Sequence, residues 1–274
     1  MDASSTSHTS QTSNTPSHPI GDVSVELRGA IAIVRLQRPH KRNALSDGLM
    51  AQVDAAFAGL PTTVGAAVLT GDGDHFCAGL DLSELKERDA VDGLHHSRSW
   101  HRILTNIEFG RIPVIAALHG AVVGGGLELA TSCHIRVADD TSFFALPEGS
   151  RGIFVGGGGS VRIPKLIGAH RMLDMMLTGR VYKAAEGVAL GFAQYHVAAG
   201  EALAKAIAIA ERVATNAAMT NYSLIHALPR IAEQPADHGF LTEGLISAIA
   251  QSAPEAKARV RDFLEGRGAK VKAS

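Results

Sequence analysis

Residues 121–130 read AVVGGGLELA, and this stretch limits the fold more than any other. Three consecutive glycines are poor in a helix interior, and an ionised carboxylate such as Glu128 is costly in an apolar run. The run fits a helix that starts at the glycines, where the first N–H groups have no intrahelical partner and the helix end carries partial positive charge. Glycines there also let another molecule approach the backbone closely. Glu128 lies three residues after Gly125, nearly one turn on, so its carboxylate falls on the same side. That geometry sets an acid beside an anion hole; a tightly packed helix start with a favourable N-terminal glutamate explains the same residues.

The surrounding pattern alternates. Val23–Leu27 and Ile31–Leu36 are β-prone and joined by Arg28-Gly29, a hairpin. The connection RPHKRNALSDG carries Arg38, Lys41 and Arg42. Leu45–Leu60 has helical spacing and ends before Pro61. Ala66–Leu69 is a buried strand, followed by the turn-rich GDGDHFCAGLDLSEL. Asp89–Phe109 is polar and helical in part. Val114–Leu118 is a second buried strand, leading through His119-Gly120 into the glycine-headed helix. His134–Ala138 and Ser142–Ala145 are further strands, and Ala-rich helices run from about Leu166. Strands alternating with helices predict an α/β core, and the helical C-terminal part a separate lobe. The expected units are a disordered Ser/Thr-rich tail over 1–20, a core over 21–213 and a helical region over 214–274.

A chain of 274 residues, 46% hydrophobic, can bury a sizeable core. Its net charge of −1, with scattered Lys and Arg, lacks the basic footprint of a nucleic-acid binder. Cys77 and Cys133 are far apart, which disfavours a disulfide framework or a structural zinc site. His95, His96 and His101 have the spacing of a solvated helix rather than of zinc ligands. No apolar run approaches the ~18 residues of a membrane span. The N-terminus lacks a secretory signal's basic start and apolar centre, so a cytoplasmic location is expected.

Two more stretches could carry chemistry. HFCAGLDL, residues 75–82, exposes backbone donors at a turn around Gly79, and read alone is also a plain loop. FALPEGSRG, residues 144–152, places Glu148 directly after Pro147 in apolar sequence; a lone buried Glu is more often a salt-bridge partner. The Gly156–Gly159 run is not a phosphate loop, because no Gly-Lys-Ser/Thr follows.

In order, these stretches resemble the crotonase (enoyl-CoA hydratase/isomerase) superfamily over nearly the whole chain after the tail. RPHKRNALS resembles its CoA-binding loop, with Asn43, Ala44 and Leu45 as the Asn-Ala-Leu centre. FCAGLDL resembles its A-G-x-D oxyanion motif, PVIAALHGAVVGGGLELA its second donor segment, and FALPE the segment of its second acid. LTGRVYKAAEGVALGFAQ resembles the helix-turn segment that follows.

The resemblance implies an α/β fold, a spiral core of repeated β/β/α units with a helical C-terminal trimerisation region. It implies homotrimers, often paired as hexamers, an acyl-CoA substrate, and no metal or redox cofactor. Leu80 and Gly125 would supply the oxyanion donors, and Glu128 and Glu148 the catalytic acids. Arg42, Ala44, Leu45, Ala78, Gly79, Asp81, Leu82, Gly124, Pro147 and Gly156 would meet coenzyme A or the acyl group. Hydratases of this family keep both glutamates, so hydration of a 2-enoyl-CoA is the expected reaction. Glu128 would activate water and Glu148 exchange the α-proton. Isomerisation, hydration coupled to C–C cleavage, thioester hydrolysis and a silent acyl-CoA-binding scaffold are the alternatives. Two departures stand out: VGGGGSVR replaces a Pro-Gly-Ala-Gly-Gly-Thr-Gln-Arg-like run, and His134 replaces an Asp, where a structural role is expected. Tyr222 is read first as packing, and second as reaching the acyl pocket from the C-terminal region.

Overall fold

The protein's structure, a computed structural model, describes residues 18–84 and 87–267. Strands β1 (His18–Ile20), β2 (Val23–Arg28), β3 (Ile31–Leu36), β4 (Ala66–Gly71) and β5 (Val114–Leu118) are joined by helices α1 (Asp47–Ala58) and α2 (Ala90–Glu108). Next come β6 (Ala121–Val123), α3 (Gly125–Thr131), β7 (Ile135–Asp139) and β8 (Phe143–Ala145). The chain continues through α4 (Gly159–Ile167), α5 (Ala169–Thr178), β9 (Tyr182–Lys183), α6 (Ala184–Leu190) and β10 (Tyr195–Val197). Helices α7 (Ala202–Ala214), α8 (Ala218–His226), α9 (Leu228–Ile231), α10 (Ala236–Ser252) and α11 (Pro254–Leu264) complete it.

A seven-stranded sheet has the order β1-β2-β3-β4-β5-β7-β10, parallel from β3 onward, and a small sheet has the order β6-β8-β9. Parallel strands buried on both faces should be apolar throughout. Alternate residues divide between two cores. Ile31, Ile33, Ala66, Val68, Ile115, Ala117 and Val137 meet α7 through Ala202, Ala206 and Ala210, whose i, i+4 spacing gives the helix a smooth face. Ala32, Val34, Leu36, Ala67, Leu69, Val114, Ala116 and Leu118 join the larger core with Trp100, Leu104, Leu127, Phe144 and Phe192. Mixed α/β architecture is therefore what the chain adopts.

Several boundaries differ from expectation. The tail reading of residues 1–17 lies outside the described residues, while 18–20 pair with β2 as a strand. Helix α1 starts at Asp47 because Ser46 caps it, its Oγ accepting from Leu49 N at 3.0 Å; Leu45 instead bridges Leu80. Ala121–Val123 is not part of the glycine-headed helix: its β-branched valines extend and pair with β8, and Gly124 (φ 53) makes the turn. Helix α4 begins at Gly159, earlier than its composition suggests, behind Gly158 in the left-handed region (φ 97). Strand β10 went unread, being three residues long, and pairs with β7. No helix among the described residues is long and apolar enough to cross a membrane.

The segment after β3 is fixed by Asn43, fully buried at φ 54. Its Oδ1 accepts from Arg38 N (2.9 Å), and its Nδ2 donates to Asp72 O (2.9 Å) and His75 O (2.7 Å). Asn tolerates the left-handed region better than most residues. Asn43→Ala should cost about 3 kcal/mol from three lost hydrogen bonds plus backbone strain. Urea unfolding measures this, and a loss below about 1 kcal/mol would contradict the assignment.

Candidate active site

Three segments distant in sequence interlock by backbone hydrogen bonds. Cys77 N donates to Ala121 O (2.9 Å) and Val123 N to Cys77 O (3.1 Å), tying HFCAGL to β6. On the other side Leu45 N donates to Gly79 O (2.7 Å) and Asp81 N to Leu45 O (2.8 Å). This zipper brings Gly125 close to Leu80: a Cβ built on Gly125 would lie 3.6 Å from Leu80 N. Neither amide donates to another group among the described residues.

Glycine is obligatory where the segments cross. Gly79 has φ 93, and a Cβ on it would lie 2.7 Å from Val123 O. A Cβ on Gly126 would lie 2.4 Å from Cys77 O, and one on Gly124 2.6 Å from Oε1 of Glu148. The oddity of AVVGGGLELA is thus resolved by close approach on three sides.

Glu128 and Glu148 are both buried. Oε1 of Glu128 accepts from Gly157 N (2.8 Å) and Gly159 N (2.7 Å). Burial pushes its carboxyl up to about 7, against the pull of those two amides; the charge of Glu148 raises it further. Burial also raises the Glu148 carboxyl. Its Oε2 is buried and has no hydrogen-bond partner among the described residues. Desolvation, more than mutual repulsion, therefore raises both acids.

Leu80, Gly125, Glu128, Glu148 and Gly156 line one cavity of about 260 Å³. The other expected residues lie around it. Ala78 N donates to Arg42 O, Ala44 O accepts from Arg38 Nη1 (2.8 Å), and Leu45 packs at Gly125. Arg42 is exposed, in the left-handed region at φ 51, and Leu82 is exposed on a single turn of 3-10 helix. Asp81 is a buried anchor, taking Lys41 Nζ (2.8 Å) and Arg38 Nη2 (3.0 Å). Lys41 and the Ser83 hydroxyl hold its carboxyl well below the usual range. Gly124 backs Glu148, and Pro147 O accepts from Ser150 Oγ (2.7 Å).

The rest of the wall could not be read from sequence. Arg88, His96, Ser97 and Trp100 come from the start and inner face of α2, and Ile153, Phe154 and Val155 from the loop after Glu148. The Trp100 indole N–H (2.9 Å) and His96 Nε2 (2.8 Å) both meet Oδ1 of Asp47, so α2 is pinned to α1 at the cavity mouth. The i, i+1, i+4 spacing of His96, Ser97 and Trp100, with the chain's only Trp, was the available signal. His134 is half-buried: its Nδ1 accepts from Val114 N (2.9 Å), which leaves Nε2–H to donate to Glu108 O (3.0 Å). Tyr222 stacks on His226, with ring centroids 3.9 Å apart, and does not line the cavity. Among the described residues no three His, Cys, Asp or Glu side chains form a metal-binding group.

A cavity holding two buried acids beside two unpaired amides has the groups needed to stabilise a developing anion and to move protons. The Enoyl-CoA hydratase/isomerase family model matches residues 26–272, and the chain belongs to that family. It is 36% identical over 195 residues to a probable enoyl-CoA hydratase of Rhizobium meliloti (strain 1021), covering 70% of this chain and 74% of that one. It is 33% identical over 201 residues to the short-chain-enoyl-CoA hydratase of Clostridium acetobutylicum, covering 72% and 77%. The solved structure of a putative enoyl-CoA hydratase from Rhodopseudomonas palustris CGA009 superposes with a TM-score of 0.88 at 56% identity, covering 90% of this chain and 95% of that one. The crotonase resemblance and the hydro-lyase class both stand.

An acid raised on folding stabilises the protein below its unfolded pKa, and that contribution is lost as pH rises through the folded value near 7. Glu128→Gln keeps an acceptor for both glycine amides without the charge. It should raise stability at pH 8 by about 2–3 kcal/mol relative to pH 4. Denaturant unfolding at the two pH values checks this; equal effects at both would contradict a raised Glu128.

Proposed function

We propose that the protein adds water across the 2,3 double bond of an enoyl-CoA thioester to give the 3-hydroxyacyl-CoA. The observation that carries the reading is the convergence of Glu128, Glu148 and the amides of Leu80 and Gly125 on one cavity. The thioester oxygen accepts from both N–H groups, which form the oxyanion hole. Each donor is worth about 3 kcal/mol as charge develops there. Ionised Glu128 takes a proton from water as its oxygen bonds to C3. The double-bond electrons move toward the thioester oxygen, and protonated Glu148 delivers its proton to C2. One proton is consumed and one gained by the pair, so the reaction needs no metal or redox cofactor; coenzyme A enters with the substrate. Both glutamates favour hydration over isomerisation, which leaves one of them without work.

The proposal includes a cytoplasmic location and a homotrimer or homohexamer. The oligomer reading is supported by Phe240, Leu241, Leu245 and Ile249 on α10 and by Phe263 and Leu264 on α11, all exposed in the single chain. Light scattering should give three or six times 28.6 kDa, and a monomer would contradict it.

Glu128→Gln and Glu148→Gln should each lower kcat on crotonyl-CoA by about 10²–10⁴-fold while butyryl-CoA still binds. Full activity in both variants would sink hydration by this pair. Activity should be bell-shaped in pH, lost when acid protonates both carboxyls and when base strips both. A product panel of acyl-CoA esters separates hydration from isomerisation, C–C cleavage and thioester hydrolysis. Binding without any turnover would instead mark a scaffold.

A further inference from the structure

The acid Glu128 is held by a loop, and the loop is held by a buried cation. Gly157 and Gly159 both donate to Oε1 of Glu128, and no group among the described residues bonds its Oε2. Arg162, on the first turns of α4 and buried, donates through Nη1 to Gly157 O (3.0 Å). Its Nε (2.8 Å) and Nη2 (2.7 Å) grip Oε2 of Glu108 at the end of α2. Gly158 turns between them at φ 97, and a Cβ there would lie 2.5 Å from Nη1 of Arg162. Glu108 is itself located by His134, which bonds its backbone carbonyl. A planar guanidinium can serve a carbonyl and a carboxylate at once in fixed directions, which an ammonium cannot.

We propose that Arg162 is a positioning residue for the reaction: braced by Glu108, it fixes the Gly157–Gly159 loop so that two amides hold one oxygen of Glu128 and leave the other for water. The role of the water rests on the hydration reading; the brace itself does not. Arg162 never touches the cavity and acts through the loop. The other charged or titratable groups around Glu128 are Glu148 across the cavity, Arg88 and His96 on the α2 side, and His101 behind Gly158. The charge of Arg162 also opposes protonation of Glu128. Its removal therefore drives the carboxyl upward twice, by losing aligned amides and by losing a cation.

The test uses the full chain with Arg162→Met and Arg162→Lys. Glu128 is followed by carbon-13 NMR of carboxyl-labelled glutamate, its resonance assigned with Glu128→Gln. In Arg162→Met its titration should move up by about one pH unit. On crotonyl-CoA, kcat should fall about 10- to 100-fold, with KM and the butyryl-CoA dissociation constant within about threefold. The activity bell should move to alkaline pH. Arg162→Lys keeps the charge but not the fork, so its titration should move less while kcat still falls. An unmoved titration, or a rise in KM at unchanged kcat, would overturn the proposal. Should Arg162→Met fail to fold, the same readings in Arg162→Lys decide. Absence of hydration in the wild type would instead refute the hydratase reading, while the NMR titration still judges the brace.

Discussion

Everything at the site depends on one backbone contact, the pairing of Cys77 with β6. Two hydrogen bonds align the chain before Gly79 with the chain before Gly124, and so bring the free amides of Leu80 and Gly125 together. Backbones this close leave no room for a Cβ at Gly79 or Gly126, while Gly124 turns in the left-handed region against Oε1 of Glu148. Within α3, Gly125 and Gly126 weaken the helix by up to roughly 1 kcal/mol each relative to Ala. The parallel sheet behind them supplies the burial that tolerates this loss.

The same contact determines where the acids go. Glu128 follows Gly125 by one turn, and Glu148 enters from the strand next to β6, its Oε1 against Gly124. Both carboxyls are taken from water, which costs stability in proportion to how strongly each would ionise. Glu128 is offered two amides and Glu148 none for its Oε2, so similar side chains sit in unlike surroundings. That asymmetry is what an acid and a base drawn from one residue type require.

Sequence revealed the parts governed by local pattern. Strands β2 to β5 announce themselves by apolar and β-branched residues between turns, alternating with polar ones in β2 and nearly continuous in β3 to β5, and their ends fall within a residue or two of expectation. Gly125, Glu128 and Glu148 stand out because glycine and a carboxylate inside apolar sequence are locally unfavourable and so ask for a reason; Leu80, and the roles expected of all four, came only through the resemblance to the crotonase motifs. Contacts made only by tertiary packing were hidden. No spacing rule links Glu108, Arg162 and Gly157, and β6 is too short to show a period beside three glycines. Asp81 read as a substrate residue because it sits in the motif, yet its partners Arg38 and Lys41 make it the anchor of the loop before α1.

The central claim is that paired amides and paired acids address one thioester. A crystal structure with butyryl-CoA, which cannot be hydrated, tests it most directly. The account predicts the thioester oxygen about 2.7–3.1 Å from both Leu80 N and Gly125 N, with C2 and C3 facing Glu148 and Glu128. A thioester seated elsewhere, or bonded to neither amide, would contradict it.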